Sequence, residues 1–332
     1  MTNLKNKYVI GCHVMFYEIK IYKEYIDGLI NLLETIDNKE NVYIDLCFNL
    51  SEKIEKIDTS KISKEQLLNL FNEGVQRLKN QNIPHIKVKI ITSENDFYFH
   101  ADYRRDLNYN YCKKVDYIMH GETDSFFPKE ALQSLESLSE YTNANNIHKY
   151  TVCFADRKMW DSSWDATVHV DYENVAYIDD ENHHLHKTQA KSPLSIEEMN
   201  KINSKVEEFD FRSINYPKID GSCLVLSADL VKYGVNVPLC LIYNDDHGLS
   251  IMADKLLGKN YVQFICKNLL KVHARRHPNK RLYVLNEDNQ HSFENKKTDA
   301  FNEFKKLSQA NINTLANNLP NKFYEYKDFK HE

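Results

Sequence analysis

The N-terminal part of the chain alternates between two kinds of apolar spacing, and this alternation restricts the folds available to it. The strand-like segments are residues 8–14, 42–48 and 86–91, and the helix-like segments between them are residues 19–36 and 63–80. The first two strand-like segments are short, mostly apolar runs, as buried parallel strands are, whereas residues 86–91 alternate and are rich in β-branched residues. The helix-like segments repeat apolar residues at helical spacing, as Ile26, Leu29 and Leu33 do. Strands and helices in alternation predict an α/β fold with a parallel sheet.

The alternation continues towards the C-terminus, with one irregular interruption. We expect helices at residues 104–114, 128–141, 195–209, 247–257 and 298–315, strands at residues 115–120, 150–154, 221–226, 261–265 and 269–273, and an apolar run at 239–243. Residues 156–216 are polar and irregular around their one helix, which indicates an elaboration beside the sheet. We therefore predict one domain over residues 1–273, with halves at 1–128 and 150–273, and a partly helical extension over residues 274–332.

The composition is that of a soluble globular protein without a global charge that would attract polyanions. Hydrophobic residues make up 42% of the 332 residues, charged residues make up 27%, and the formal net charge is -5. Binding to nucleic acid or to anionic lipid would therefore have to be local. The seven cysteines are scattered without a CxxC pair, and no apolar run reaches the roughly 18 residues of a membrane span. These features predict a cytoplasmic protein without a transmembrane segment.

Two carboxylates follow a predicted strand at the point where it ends. Residues 115–120 are mostly apolar, and Glu122 and Asp124 come directly after them, separated by Thr123. Ligands of α/β sheets gather at the carboxyl ends of the strands. Carboxylate oxygens are also the ligands that hard divalent cations prefer, together with substrate phosphates. The triplet is therefore a candidate metal site, and a solvated acidic turn is the alternative interpretation.

A second acidic pair, Asp245 and Asp246, stands at the start of the helix predicted over residues 247–257. A carboxylate in this position can accept a proton from an attacking hydroxyl group, as general base catalysis requires. The pair can equally cap the helix and interact favourably with its dipole. Both interpretations stay open at this point.

The order of these motifs resembles glycosyltransferase family 2, whose members have the GT-A fold. In that family, a helix that starts with an Ala-Arg-Asn-x-Gly-like sequence precedes a strand that ends in Asp-x-Asp, and a proline follows. Residues 104–108, which read RRDLN, resemble this helix start, with Cys112 where a small residue is usual. Residues 115–128 resemble the metal-binding strand, with Glu122 in place of the first aspartate.

The resemblance extends into the second half of the chain. Residues 244–246, which read NDD, resemble the family's Glu-Asp motif, and His273 ends a predicted strand where members often carry a histidine. One feature departs from the family, because the second strand ends in FNLS at residues 48–51 instead of Asp-Asp-Gly-Ser. This departure leaves the identity of the nucleobase open.

The resemblance implies a GT-A-type, Rossmann-like sheet that is mostly parallel and flanked by helices, and a divalent cation, Mn²⁺ or Mg²⁺. It implies that Glu122, Asp124 and His273 bind the metal and that Asp246, with Asp245 beside it, is catalytic. The residues expected to bind the donor are His13, Asn49, Arg104, Arg105, Thr123, Gly221, Ser222, Arg275 and Arg276. Trp160 and Trp164 lie in the irregular region, where they either stack on an acceptor or pack in the structure.

The expected activity is the transfer of a hexose-like sugar from a nucleotide-sugar, most simply a UDP-sugar, to a hydroxyl group with inversion. The acceptor is a surface glycan, a protein or a modified nucleic acid. One alternative is a sugar-phosphate nucleotidyltransferase, although residues 11–16 lack the glycine-rich, lysine-bearing loop of such enzymes. Another is a binding module that has the fold without catalysis.

Overall fold

The computed structural model describes residues 2–92, 97–157, 162–175, 194–214, 219–274, 282 and 297–317. The strands are β1 (Tyr8–Met15), β2 (Val42–Asn49), β3 (His85–Ile91), β4 (Tyr117–Gly121), β5 (Ser125–Phe126), β6 (Tyr150–Ala155), β7 (Phe211–Ile214), β8 (Leu224–Ser227), β9 (Val262–Leu270) and β10 (Val272–His273). The α-helices are α1 (Ile19–Leu33), α2 (Lys64–Lys79), α3 (His100–Tyr111), α4 (Ala131–Ala144), α5 (Ile196–Asn203), α6 (Ala228–Lys232), α7 (Asp245–Leu257) and α8 (Asp299–Ala316). Among these described helices, none has both the length and the apolar composition of a membrane span.

Eight of the described strands form one sheet in the order β3-β2-β1-β4-β8-β6-β9-β7. Strand β1 pairs in parallel with β2 and β4, β2 pairs in parallel with β3, and β6 with β9. Strand β8 runs antiparallel between β4 and β6, and β7 runs antiparallel to β9 at one edge. The predicted α/β fold, with a central and mostly parallel sheet flanked by helices, is therefore confirmed.

The central strands are buried on both faces, because alternate side chains pack into two layers of helices. In β1, Ile10 and Val14 pack in an apolar cluster that includes residues of α1 and α2. Val9, which points the other way, packs in a second cluster with residues of α3 and α7. Every residue of β1 and β4 is buried. Two-sided burial explains why these strands are largely apolar runs in the sequence.

The structure differs from the sequence prediction mainly after residue 195. The helix expected to reach residue 209 ends at Asn203, and strand β7, which the sequence did not indicate, follows it. The two strands expected over residues 261–273 are one long strand, β9, and the two-residue β10. The apolar run at residues 239–243 precedes α7 without forming a strand. Helix α3 also begins earlier than expected, at His100.

Strand β9 passes through Lys267 and Asn268, the polar pair that separated the two predicted strands. The Asn268 side chain completes the edge of the sheet, since it donates to the backbone oxygen of Glu208 at 2.7 Å and accepts from the N–H of Asp210 at 3.0 Å. Lys267 is paired with Glu173, with 3.1 Å between nitrogen and oxygen. The local sequence pattern predicts that the strand ends at these polar residues. Contacts with distant segments stabilise them, so the strand continues.

Helix α8, in the region predicted as a C-terminal extension, packs against two separate parts of the domain. At its N-terminal end, Phe301 packs on Phe99 with ring centroids 5.3 Å apart. In its middle, the Ser308 hydroxyl donates to the backbone oxygen of Tyr243 at 2.9 Å, and the Asn311 amide donates to that of Cys240 at 2.9 Å. The helix therefore supports the loop that leads into α7.

Gly121, the last residue of β4, tests how tightly the sheet is packed next to the acidic triplet. A methyl group at this position would overlap the Tyr25 hydroxyl and lie 2.9 Å from the backbone oxygen of Gly11. We expect Gly121→Ala to lower the free energy of unfolding by about 1–3 kcal/mol, as overpacking of a core does. Gly28→Ala, in helix α1, is the control because its nearest contact, with Phe126, would be an ordinary 3.4 Å. Equal stabilities of the two variants in urea denaturation would contradict this packing.

Candidate functional site

A cavity of about 380 Å³ lies at the end of the sheet where the chain leaves β1 and β4. It is lined by Tyr17, Glu18, Phe99, His100, Arg104, Glu122, Thr123, Asp124, Asp220, Gly221, Tyr243, Asn244, Asp245, Asp246 and His273. Six of these fifteen residues are carboxylic acids. The cavity therefore suits a cation, or an anion that binds together with a cation.

Glu122, Asp124 and His273 form a group whose geometry fits a divalent cation. One ligand atom of each residue lies within 4.8 Å of the ligand atoms of the other two. Strand pairing brings them together, because His273 of β10 lies opposite Ser125 of β5. The N–H of Ala274 also donates to the backbone oxygen of Asp124 at 2.7 Å. Two carboxylates and one imidazole are a donor set that first-row divalent metals accept.

Arg104, near the start of α3, links this group to the second acidic pair. Its Nη2 donates to Oε1 of Glu122 at 2.6 Å, and its Nη1 donates to Oδ2 of Asp245 at 2.6 Å. Nη2 also donates to the backbone oxygen of Gly221 at 2.8 Å. Burial alone would lower the pKa of the guanidinium, but the carboxylates of Asp245 and Glu122 hold it above its ordinary value. A fixed positive charge therefore lies between the two acidic groups.

Gly221 allows this close approach. A Cβ atom at residue 221 would lie 2.8 Å from Nη1 of Arg104 and 3.2 Å from Oδ2 of Asp246. The N–H of Gly221 donates to that same Asp246 oxygen at 3.2 Å. A side chain at this position would displace the arginine, which gives a steric reason for glycine here.

Asp245 and Asp246 are neighbours in the sequence but have different electrostatic environments. Burial alone would raise the pKa of Asp245, but the adjacent Arg104 holds it below its ordinary value. Burial and the charge of Asp245 raise the pKa of Asp246 to about 7. Asn244 occupies the cap position of α7 with a φ of 58°, so both acids belong to the first turn of the helix. Carboxyl groups with divergent pKa values are typical of sites that transfer protons.

Three acidic or histidine residues of the cavity lining, Glu18, His100 and Asp220, were not singled out by the sequence analysis. Glu18 follows β1 and accepts a hydrogen bond from the Thr123 hydroxyl at 2.9 Å, so it supports the acidic triplet. His100 begins α3, and burial lowers its pKa. Asp220 lies next to Gly221, and its Oδ2 is 3.4 Å from Nδ1 of His273. The position of Glu18 just after a buried strand is the signal by which it could have been found.

Two of the residues predicted to bind the donor, His13 and Asn49, are buried and are not among those that line the cavity. Nε2 of His13 lies 3.2 Å from Nδ2 of Asn49. The His13 ring packs edge to face with His100, with ring centroids 4.8 Å apart. Burial lowers the pKa of His13 well below its ordinary value, which keeps the ring neutral. His13 therefore lies behind His100, which lines the cavity, and Asn49 lies next to His13.

Arg105, another predicted donor-binding residue, instead contacts the loop that leads to the acidic pair. Its guanidinium donates to the backbone oxygens of Val237, Pro238 and Leu241 at 3.0, 2.9 and 3.1 Å. Ser222 is also buried away from the cavity lining and donates to Oδ2 of Asp220 at 2.8 Å. The side chains of Arg105 and Ser222 thus form hydrogen bonds that support the loop and Asp220, respectively.

The remaining predicted residues are Arg275, Arg276 and the two tryptophans. Arg275, Arg276 and Trp160 lie outside the described residues. Trp164 lies in a short 3-10 helix, Ser162–Thr167, where its backbone oxygen accepts a hydrogen bond from the Thr167 hydroxyl at 2.9 Å. It is not among the residues that line the cavity. A role of the two tryptophans in acceptor binding stays a prediction.

No protein-family model matches the chain, and no curated protein matches it in sequence. Among solved structures, it is similar to S. aureus TarS 1-349 in complex with UDP-GlcNAc, with 13% identity, a TM-score of 0.45 and coverage of 95% of this chain and 68% of that chain. In a second structure of TarS 1-349, the TM-score is 0.41 and this chain spans 60% of that chain.

Two further similar structures have lower TM-scores. One is apo WbbM, a bifunctional glycosyltransferase, with 12% identity, a TM-score of 0.29 and coverage of 76% of this chain and 35% of that chain. The other is apo mouse xyloside xylosyltransferase 1, with 9% identity, a TM-score of 0.30 and coverage of 92% of this chain and 94% of that chain.

The buried arginine should contribute strongly to stability. We expect Arg104→Met to lower the free energy of unfolding by about 3–5 kcal/mol, because it leaves the buried carboxylates without their counter-charge. Arg212→Met is the matched control, since Arg212 also pairs with an aspartate, Asp210, at 2.6 Å but is 52% exposed. Its loss should cost at most about 1 kcal/mol. Urea denaturation measures both, and a small effect at residue 104 would show that the bridge is not needed for folding.

Proposed function

We propose that this chain is a metal-dependent glycosyltransferase that transfers a sugar, such as a hexose, from a nucleotide-sugar to a hydroxyl acceptor with inversion. One observation carries the proposal. A group suited to a divalent cation and a carboxyl group with a pKa near neutrality line the same cavity, and Arg104 links their surroundings. Sugar transfer with a diphosphate leaving group needs a cation and a proton acceptor, because negative charge develops on the leaving group while the acceptor hydroxyl loses a proton.

Glu122, Asp124 and His273 are the residues that would hold Mn²⁺ or Mg²⁺, and the spacing of their ligand atoms fits such an ion. When bound, the ion neutralises charge on the departing diphosphate. These residues are preorganised, because Arg104 donates a hydrogen bond to one oxygen of Glu122 and strand pairing between β10 and β5 fixes the backbone of His273. Glu18 accepts a hydrogen bond from the hydroxyl group of Thr123, the residue between Glu122 and Asp124 in the sequence.

Asp246 is the proposed general base. Its raised pKa makes it a better proton acceptor than an ordinary aspartate while leaving it largely ionised above neutral pH. Asp245 stays ionised next to Arg104 and keeps the pKa of its neighbour high. The N–H of His247 donates to Oδ1 of Asp246 at 2.7 Å and fixes the carboxylate in the first turn of α7.

The proposed donor is a UDP-sugar, which follows the resemblance found in the sequence. Arg104, Thr123 and Gly221 line the cavity and are the proposed donor contacts among the described residues. The proposed acceptor is a hydroxyl group of a surface glycan or of modified nucleic acid. All seven cysteines are buried and none is in a disulfide bond, which supports a reducing, cytoplasmic setting for the reaction.

Hydrolysis of a nucleotide-sugar panel tests the proposal without knowledge of the acceptor. We expect the purified protein to release nucleoside diphosphate from at least one UDP-sugar when Mn²⁺ or Mg²⁺ is present, and EDTA to abolish the release. Asp124→Asn should remove the activity, because it removes a charged ligand from the metal group. Chromatography of the released nucleotide is the measurement, and Asp229→Asn is the matched control because the Asp229 side chain on helix α6 is 41% exposed and lies outside the cavity lining.

The same panel separates the alternatives. Formation of a nucleotide-sugar from a sugar phosphate and a nucleoside triphosphate would identify a nucleotidyltransferase. Binding of a nucleotide-sugar without turnover, measured by calorimetry, would identify a binding module. Neither turnover nor donor binding across the panel would contradict the proposed function.

The pH dependence of the rate tests the role of Asp246. The base must be ionised to accept a proton, so kcat/KM should rise with pH through about 7, the value to which the pKa of Asp246 is raised. Asp246→Asn should lower kcat by about a hundredfold to ten-thousandfold. The substitution should also remove this rising limb of the pH profile, that is, the increase of kcat/KM with pH through about 7.

Asp254→Asn is the control for this prediction, because Asp254 is exposed on the same helix. Its profile should match that of the wild type. A wild-type rate that is flat between acidic and neutral pH, or an Asp246→Asn variant with the same limb, would assign the base to another group.

A further inference from the structure

His273 presents its two ring nitrogens to different groups. Nε2 lies 3.7 Å from Oε2 of Glu122 and 3.9 Å from Oδ2 of Asp124, on the side of the proposed metal site. Nδ1 lies 3.4 Å from Oδ2 of Asp220. Only 7% of the His273 side chain is exposed, so its surroundings hold the ring in this orientation.

Asp220 is itself held by a buried network. The backbone N–H and the hydroxyl group of Ser222 donate to its two carboxylate oxygens at 3.2 and 2.8 Å. The ammonium group of Lys271 donates to Oδ2 of Asp220 at 2.9 Å and lies 3.4 Å from Oδ2 of Asp156. The Asp220 carboxylate therefore has a fixed position and a cationic partner.

Lys271 is a strong partner because it is fully buried and still charged. Its side chain has an exposed fraction of 0%, and it also donates to the backbone oxygen of Ser222 at 2.9 Å. Burial alone would lower its pKa, but Asp156 and Asp220 hold it above the ordinary value. Lys271 and His273 are separated by one residue, so one short segment supplies both the imidazole and the cation that anchors its partner.

The chemistry of imidazole gives this arrangement a function. A neutral imidazole carries a proton on one ring nitrogen and a free lone pair on the other, and only the second can bind a metal. A carboxylate next to Nδ1 accepts the N–H at that atom and leaves the lone pair on Nε2. In His273, Nε2 is the nitrogen that faces Glu122 and Asp124.

We propose that Asp220, held by Lys271 and Ser222, is a positioning residue that fixes the tautomer and the ring orientation of His273 for cation binding. The inference rests on the proposed function, because it takes His273 as a ligand of the metal. Asp220 acts through His273 in this arrangement, and its role could not be predicted from the sequence, because Asp220 and Lys271 belong to no recognised motif.

Nitrogen-15 NMR of the histidine rings in the metal-free protein, recorded at a pH at which the spectra show neutral imidazole, is the first test. The signals of His273 are identified by their loss in His273→Gln, and we expect the Nδ1–H tautomer in the wild type. Asp220→Ala should shift His273 towards the Nε2–H tautomer. Asp220→Asn should retain more of the Nδ1–H form, because it keeps an oxygen that can accept. Asp156→Asn is the matched control, since Asp156 also lies next to Lys271, and it should leave the tautomer unchanged.

Calorimetric titration with Mn²⁺ alone is the second test. Asp220→Ala should weaken Mn²⁺ binding by about tenfold to a hundredfold, the usual effect of losing the partner of a metal-bound histidine. Asp220→Asn should weaken it less, and Asp156→Asn should bind as the wild type does. Circular dichroism shows which variants are folded. If Asp220→Ala does not fold, the comparison of Asp220→Asn with Asp156→Asn decides both tests.

The outcomes separate the positioning role from the proposed function. An unchanged His273 tautomer in the Asp220 variants overturns the inference. Weaker Mn²⁺ binding with an unchanged tautomer also overturns it, because Asp220 would then be a direct ligand. If the tautomer depends on Asp220 but the wild type binds no Mn²⁺, the control of His273 by Asp220 stands and the metal-dependent function falls.

Discussion

The buried guanidinium of Arg104 is the interaction on which the geometry of the cavity depends. Glu122 follows β4 and Asp245 begins α7, so their carboxylates come from distant segments and would repel each other without a cation between them. Removing ions from water costs several kcal/mol each unless they are paired with good geometry. Arg104 meets this condition with short hydrogen bonds to both acids and to the backbone of Gly221. Helix α3, strand β4 and helix α7 are therefore fixed relative to one another at the cavity.

The first half of the fold could be predicted because burial and sequence pattern agree there. Strands β1 and β4 are covered on both faces, and such strands are apolar almost throughout. Strand β7 could not be predicted, because its four residues, which read FRSI, form neither an apolar run nor an alternating pattern. Strand β9 was divided in the prediction because Lys267 and Asn268 are stabilised by distant partners that a local pattern does not contain.

Candidate site residues could be predicted where they belong to motifs that follow one another along the chain in the order of the family. Glu122, Asp124, His273 and the acidic pair are such cases, and all of them line one cavity. The environment of each polar residue could not be predicted in the same way. Arg105 has the side chain of a phosphate-binding residue, yet it contacts backbone oxygens of the loop at residues 237–241. Residue type alone does not show which way a side chain faces, and Asp220 was missed for the same reason.

The cavity can be completed only after helix α8 has been synthesised. The loop that carries Tyr243 into α7 is held by Ser308 and Asn311 of that helix, and Phe99 on the cavity wall packs on Phe301. Every described strand of the sheet precedes α8 in the chain and leaves the ribosome before it, and a domain generally folds as a unit. The cavity wall can then be completed only afterwards, so the protein would acquire its ligand-binding form as one of the last events of its folding.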